Sequence, residues 1–154
     1  MNLPRGKQSG INYGQKKQQG QSDIEQLIDI QRYLITRYKL KVKIEWYVIF
    51  DNETETIKMI TEHVTKEDLG VIQEGKYKQT SFAKNPDLMW IDKYGMWIIE
   101  VDGAVHDRKV KKTNERNELY LRNHIKLIVI NIAEMNELNI NIYNYIDKQI
   151  ESKL

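Results

Sequence analysis

A mixed β-sheet flanked by helices, α/β in outline and α+β in the strict sense, is the fold class that the sequence predicts. Three observations lead there. Residues 88–102 hold two apolar runs around a short turn containing Gly95, the pattern of a hairpin. A charged helical stretch (107–123) and then an apolar run (125–131) follow, an order that implies a parallel crossover. The last segment, 139–151, places Ile140, Ile142, Tyr143, Ile146 and Ile150 at helical spacing.

The chain has 154 residues, enough for one domain with one core. Hydrophobic residues make up 40% and charged residues 30%, the balance of a globular chain rather than a disordered one. No apolar run reaches the ~18 residues of a membrane helix, and no signal-peptide stretch opens the chain. A cytoplasmic protein with no membrane partner is the expectation. There is no cysteine, which excludes disulfide scaffolds, thiolate zinc sites and cysteine nucleophiles. The three histidines (His63, His106, His124) cannot form a metal cage without carboxylates.

Charge is unevenly spread. Residues 1–22 carry Arg5, Lys7, Lys16 and Lys17 and no acid, a charge of +4. The remaining 20 bases face 22 acids. The same segment holds four of the eight glycines and little to bury, so it reads as a flexible basic arm on a single domain spanning 23–154. Such an arm either attracts a polyanion or simply aids solubility.

The domain is expected to begin with a helix. Ser22 and Glu25 have capping-box spacing, and Ile24, Leu27, Ile28, Leu34, Ile35 and Tyr38 recur at helical intervals. Residues 41–50 alternate Val42, Ile44, Trp46, Val48 and Phe50 with mostly polar neighbours, one half-buried strand. Asp51-Asn52 turns the chain into a second strand over 55–64. Residues 66–82 are ambiguous, with a short strand expected near 76–82. Then comes the hairpin, whose second run is apolar on both faces like a central strand.

Three acids occupy unusual positions. Glu100 and Asp102 end the apolar second run, two residues apart and so on one face. If Lys93-Tyr94 forms a two-residue turn, Asp92 pairs with Gly95, Trp90 with Trp97, and Asp87 with Glu100. Cross-strand partners share a face, so an even loop gathers Asp87, Glu100 and Asp102. An odd loop sends Asp87 to the other side unless a bulge corrects it. Buried carboxylates are costly unless paired or bound to a cation, and an oxygen-only set suits Mg²⁺ or Mn²⁺.

Pro86-Asp87 followed by Glu100-Val101-Asp102 resembles the active-site motif of the PD-(D/E)XK nucleases. The continuation through Gly103, His106-Asp107, Glu115-Arg116, Leu119 and 125–131 resembles the branch of very-short-patch-repair endonucleases and their small relatives. The resemblance covers about 85–150. It implies a restriction-endonuclease-like core and a metal-dependent DNA endonuclease that needs no small-molecule cofactor. It also implies that Asp87, Glu100, the Val101 carbonyl and Asp102 hold the metal. The wider superfamily has lysine where Asp102 stands, whereas aspartate is usual in the narrower branch. His106 is then the general acid/base or a further ligand, and Arg116 contacts phosphate. Glu25 corresponds to a first-helix glutamate that holds metal-bound water.

Plainer readings stand beside these. Glu25 serves as a capping residue, Arg116 pairs with acids on a solvated face, and Lys109, Lys111 and Lys112 are either solvated or line a phosphate track. Very-short-patch-repair enzymes carry a structural zinc that a cysteine-free chain lacks. A junction-resolving or recombination role, with a homodimer to cut two strands, therefore fits as well as DNA repair. A non-catalytic nucleic-acid-binding module, or a subunit of a defence or recombination complex, is the alternative on the same fold.

Overall fold

The computed structural model describes residues 13–103 and 107–154, with side chains described over 24–103 and 110–154. Helix α1 (Tyr13–Tyr38) leads into strands β1 (Lys43–Ile44), β2 (Tyr47–Asp51) and β3 (Ile57–Thr61). Helix α2 (Lys66–Leu69) and strands β4 (Gly70–Gln73), β5 (Lys76–Gln79) and β6 (Ser81–Lys84) follow. Next come β7 (Leu88–Asp92), β8 (Gly95–Asp102), α3 (Asp107–Arg122), β9 (Lys126–Asn131), α4 (Ile132–Glu137) and α5 (Ile142–Ser152). The architecture is mixed α+β, as the pattern of elements predicts.

The central sheet runs β1-β7-β8-β9. Strand β8 is antiparallel to β7 and, across the α3 crossover, parallel to β9. Its position between two strands explains why both of its faces are apolar: Trp97 through Glu100 are all buried. A second sheet, β3-β2-β6, and a separate ribbon, β4-β5, complete the strands.

Alternation along β7 and β8 divides the core in two. Leu88, Trp90, Trp97 and Ile99 pack with Leu27, Ile30 and Leu34 of α1 and with Ile146 and Ile150 of α5. Met89 and Ile98 pack on the other side with Leu119 and Tyr120 of α3 and with Val48 and Phe50 of β2. By the two-residue period, Glu100 and Asp102 share the face of Ile98, the side covered by α3.

Several expected boundaries move. Helix α1 starts at Tyr13, so Ser22 and Glu25 lie within it and do not cap its start; residues 1–12 of the expected arm lie outside the described residues. The single strand expected over 41–50 is two, because Glu45 adopts φ 55° and breaks it. Beyond that kink the alternation changes partners: Val42 joins the α1 side of the core, whereas Val48 and Phe50 join the α3 side. The ambiguous 66–82 region resolves into α2, the ribbon and β6, with α2 opened by a Thr65/Asp68 capping box. Helix α4 was not expected; Asn131 caps it by accepting from the Glu134 N–H at 3.0 Å. Among the described residues no helix is long and apolar enough to cross a membrane.

One polar latch fastens α1 to α5. Asp147 accepts from the Tyr33 hydroxyl at 2.7 Å and the Tyr38 hydroxyl at 2.6 Å, with Arg37 Nε at 3.4 Å. Burial works to raise the Asp147 pKa, but the two hydroxyls and Arg37 outweigh it and hold the carboxyl below its ordinary value. Stability from this source is therefore present above the unfolded pKa and lost as pH falls through the folded one. The expected result for Asp147→Asn is a loss of about 1–2 kcal/mol near pH 7, kept modest by solvent screening. In urea titrations the gap from the wild type closes on acidification; a gap that widens contradicts the latch.

Candidate active site at the open end of the β7–β8 hairpin

The geometry begins at the turn. Lys93 and Tyr94 form a two-residue loop, and the register runs Asp92↔Gly95, Trp90↔Trp97 and Leu88↔Ile99. Asp92 Oδ1 fixes it by accepting from Tyr94 N at 2.9 Å and Trp97 Nε1 at 3.0 Å. Gly95 takes φ +121°, a conformation that side chains resist. The Trp90 and Trp97 rings stack at 5.4 Å between centroids. One further step outward sets Asp87 opposite Glu100, the even-loop arrangement that the sequence requires for a shared face.

Backbone and side chains interlock there. Glu100 Oε1 accepts from Asp87 N at 3.3 Å, and Asp87 Oδ2 accepts from Val101 N at 2.7 Å. Asp87 is also held from behind: its carbonyl accepts from Glu45 N at 3.0 Å. The preceding Asn85 donates to the carbonyls of Glu45 and Trp46 at 2.6 and 3.1 Å. The kink at Glu45 is thus the brace that positions the first acid.

Helix α3 supplies the other wall. Tyr120 donates to Glu100 Oε2 at 2.9 Å, and Arg116 Nε lies 3.7 Å from the same oxygen. Arg116 Nη2 reaches Asp102 Oδ2 at 3.4 Å, while Asn117 Oδ1 accepts from Arg116 Nε and Nη2 at 3.1 and 2.9 Å. Arg116 is therefore turned toward Glu100 and Asp102.

Glu100 is 3% exposed. Burial pushes its pKa up to about 8, helped by the negative charge and hydrogen bonding of Asp87 and opposed by Arg116 and the Tyr120 hydroxyl. Burial, and then the charge of Glu100, drive the Tyr120 hydroxyl well above its ordinary value. From this wall Arg116 faces both Glu100 and Asp102.

The fit to a divalent cation follows from the donor set. Asp87 and Glu100 offer hard oxygens side by side, and Mg²⁺ is commonly held by one or two carboxylates, with waters and substrate phosphates completing the shell. A closed cage is absent: among the described residues no group of three or more His, Asp or Glu is arranged to hold a metal. Asp102 shares the face of Asp87 and Glu100, and Arg116 reaches both Glu100 and Asp102.

The remaining candidates scatter. Glu25 is exposed, and its helix packs against the opposite side of the central sheet. It lies about 200° around α1 from Leu27, turned from the buried stripe. No described hydrogen bond or ion pair joins it to the acids. Lys111 and Lys112 are exposed on α3. His106, with the side chain of Lys109, lies outside the described residues.

Tyr120 and Asn117 are neighbours of the acids and of Arg116 that the sequence did not disclose. The available signal was spacing: Arg116 and Tyr120 stand one helical turn apart. For Tyr120→Phe the expected result is a loss of about 1–2 kcal/mol in denaturation, since Glu100 loses a buried donor. The Glu100 carboxyl, followed by infrared titration, should then release its proton at higher pH. A lower value would mean that the hydroxyl does not stabilise the charged form.

No family model matches the chain, and no curated protein and no solved structure matches it.

Proposed function

We propose that the protein is a metal-dependent DNA endonuclease of the PD-(D/E)XK type. The observation that carries this reading is the hairpin register, which sets Asp87 against Glu100 at the end of a central strand beside Arg116. Asp87 and Glu100 would hold Mg²⁺ or Mn²⁺. The bound cation supplies Lewis-acid neutralisation of phosphodiester charge and lowers the pKa of water. Arg116, clamped by Asn117, presents positive charge beside the reacting phosphate, and the exposed Lys111 and Lys112 draw the DNA backbone toward α3. Structured DNA as substrate, a homodimer and a cytoplasmic setting belong to the same proposal.

The test is a cleavage panel on supercoiled, mismatched, flap and four-way-junction DNA with Mg²⁺, Mn²⁺ or EDTA. Cleavage that depends on the metal supports the reading. Binding that persists in EDTA with no cleavage in Mn²⁺ supports the second one, a non-catalytic nucleic-acid-binding module. That alternative is favoured by one observation: Glu100 is already bonded by Asp87 N, Tyr120 and Arg116.

A further inference from the structure

The two-stranded ribbon β4–β5 stands apart from both sheets. All of residues 71–79 are exposed, Ile72 to 68%. A ribbon of two strands is marginal by itself, and this one is fastened at both ends. At the tip, Glu74 and Gly75 take φ 54° and 76°, the paired positive values of a tight hairpin turn. At the root, Thr80 N donates to the Leu69 carbonyl at 2.8 Å. Asn52 donates there to the carbonyls of Thr80 and Gln79 at 2.9 and 3.0 Å. The chain is thus kept extended with no core beneath it, and apolar surface left open in this way marks a contact with a partner.

Alternation sorts the side chains of the ribbon. The register pairs Val71 with Lys78 and Gln73 with Lys76, and cross-strand partners share a face. One face therefore carries Val71, Gln73, Lys76 and Lys78, two cations and no acid. The opposite face receives α2: the Tyr77 ring folds onto Gly70, where a Cβ would meet it at 2.7 Å, and Lys66 Nζ lies 4.6 Å from the ring centroid. The nearby acids are set off from the basic face. Glu74 is at the tip, Glu67 is in α2, and Asp68 is engaged in the α2 capping box. A bare two-stranded ribbon is one of the shapes that the major groove of B-DNA admits. The four side chains suit its edges: glutamine pairs with adenine, lysine with guanine, and an apolar group meets the thymine methyl. The chain also keeps the ribbon within reach of the Asp87–Glu100 pair. Eight residues lead from Gln79 to Asp87, at most about 28 Å of chain. One turn of duplex is longer, about 34–36 Å. Strand β6 spans this interval, and its sheet packs Val48, Phe50 and Phe82 with Leu119 and Tyr120 of α3, on the side where the acids lie.

We infer that β4–β5 is a DNA-reading ribbon, which enters the major groove of a duplex with its Val71, Gln73, Lys76 and Lys78 face toward the bases. The inference rests on the DNA partner proposed above and not on the cleavage chemistry.

The full-length protein in EDTA is titrated, by fluorescence anisotropy, with a labelled mixed-sequence DNA duplex several helical turns long and with an RNA duplex of the same sequence. Joint replacement of Lys76→Gln and Lys78→Gln, both at exposed positions, should weaken DNA binding roughly tenfold or more, the scale of one or two lost base contacts. Binding to the RNA duplex should not change, because its deep, narrow major groove admits no ribbon. Selection from randomised DNA duplexes should return a preferred sequence with an adenine that Gln73→Ala no longer selects. The inference is overturned if the wild type does not bind the DNA duplex, or if the double variant binds it as tightly as the wild type does. Equal losses on DNA and RNA, or selection that returns no preferred sequence, overturn it too. Unchanged DNA binding together with self-association that Ile72→Ser abolishes assigns the ribbon to a second copy of the chain instead. The nuclease proposal is judged separately. Lysine-dependent binding without Mg²⁺-dependent cleavage keeps the ribbon and removes the nuclease, whereas cleavage with lysine-independent binding does the reverse.

Discussion

Glu100→Gln and Asp87→Asn are each expected to reduce Mg²⁺-dependent DNA cleavage by at least about 100-fold. Each removes one of two carboxylates available to the cation, and ligand loss costs more than the 10–100-fold typical of residues that merely support a ligand. The two variants should differ in stability. Glu100 holds its proton up to about pH 8, so glutamine reproduces the group that the folded protein carries at neutral pH. Glu100→Gln should therefore avoid the cost of a buried charge and give up only one of the two acceptors that serve Asp87 N and the Tyr120 hydroxyl, while losing cleavage. Asp87→Asn weakens the acceptor for Val101 N and should lose stability as well as cleavage. Undiminished cleavage by both variants would falsify the nuclease proposal.

In metal-free buffer the wild type should lose stability as pH rises from about 5 to 9. The sign follows from linkage. The folded state keeps the Glu100 proton to about 8, whereas the unfolded chain releases it near the ordinary 4.5. Between these values the folded state binds more protons, so its advantage is complete below the lower value and vanishes above the upper one. The change is on the order of a few kcal/mol, or several degrees in Tm. Glu100→Gln should flatten the profile and so isolate this group from others that titrate. Added Mg²⁺ should restore more Tm at pH 8.5 than at pH 6, where the cation competes with a proton. An equal Mg²⁺ effect at both values, or one retained by Asp87→Asn, would mean that the ion binds elsewhere.

Much of the arrangement around the acids was legible because it rests on counting. Once Lys93-Tyr94 is read as a two-residue turn, the pairings of Trp90 with Trp97 and Asp87 with Glu100 follow from strand geometry alone. The parallel return of β9 follows equally from the length of α3 between two apolar runs. The break at Glu45 was not legible. The alternation from Val42 to Phe50 is unbroken, and the bonds that accompany the reversal are tertiary, among them Glu45 N to the Asp87 carbonyl and Asn85 to the carbonyls of Glu45 and Trp46. Helix α4 had a signal that went unused, since Asn131 and Glu134 stand at capping distance. In the sequence Tyr120 stands between Leu119 and Leu121, one of three consecutive residues that suit a buried helix face. Its role depends on the rotation of α3 over the sheet, which is set by packing against Ile98 and Phe50 and not by the helix's own sequence.

The brace behind Asp87 stands at the join of two sheets. Glu45 sits where the chain leaves the central sheet for the smaller one; its N–H bonds the Asp87 carbonyl, and Asn85 bonds the carbonyls of Glu45 and Trp46. A substitution that straightens the chain at Glu45 is therefore expected to displace Asp87 as well as to alter the join between the sheets.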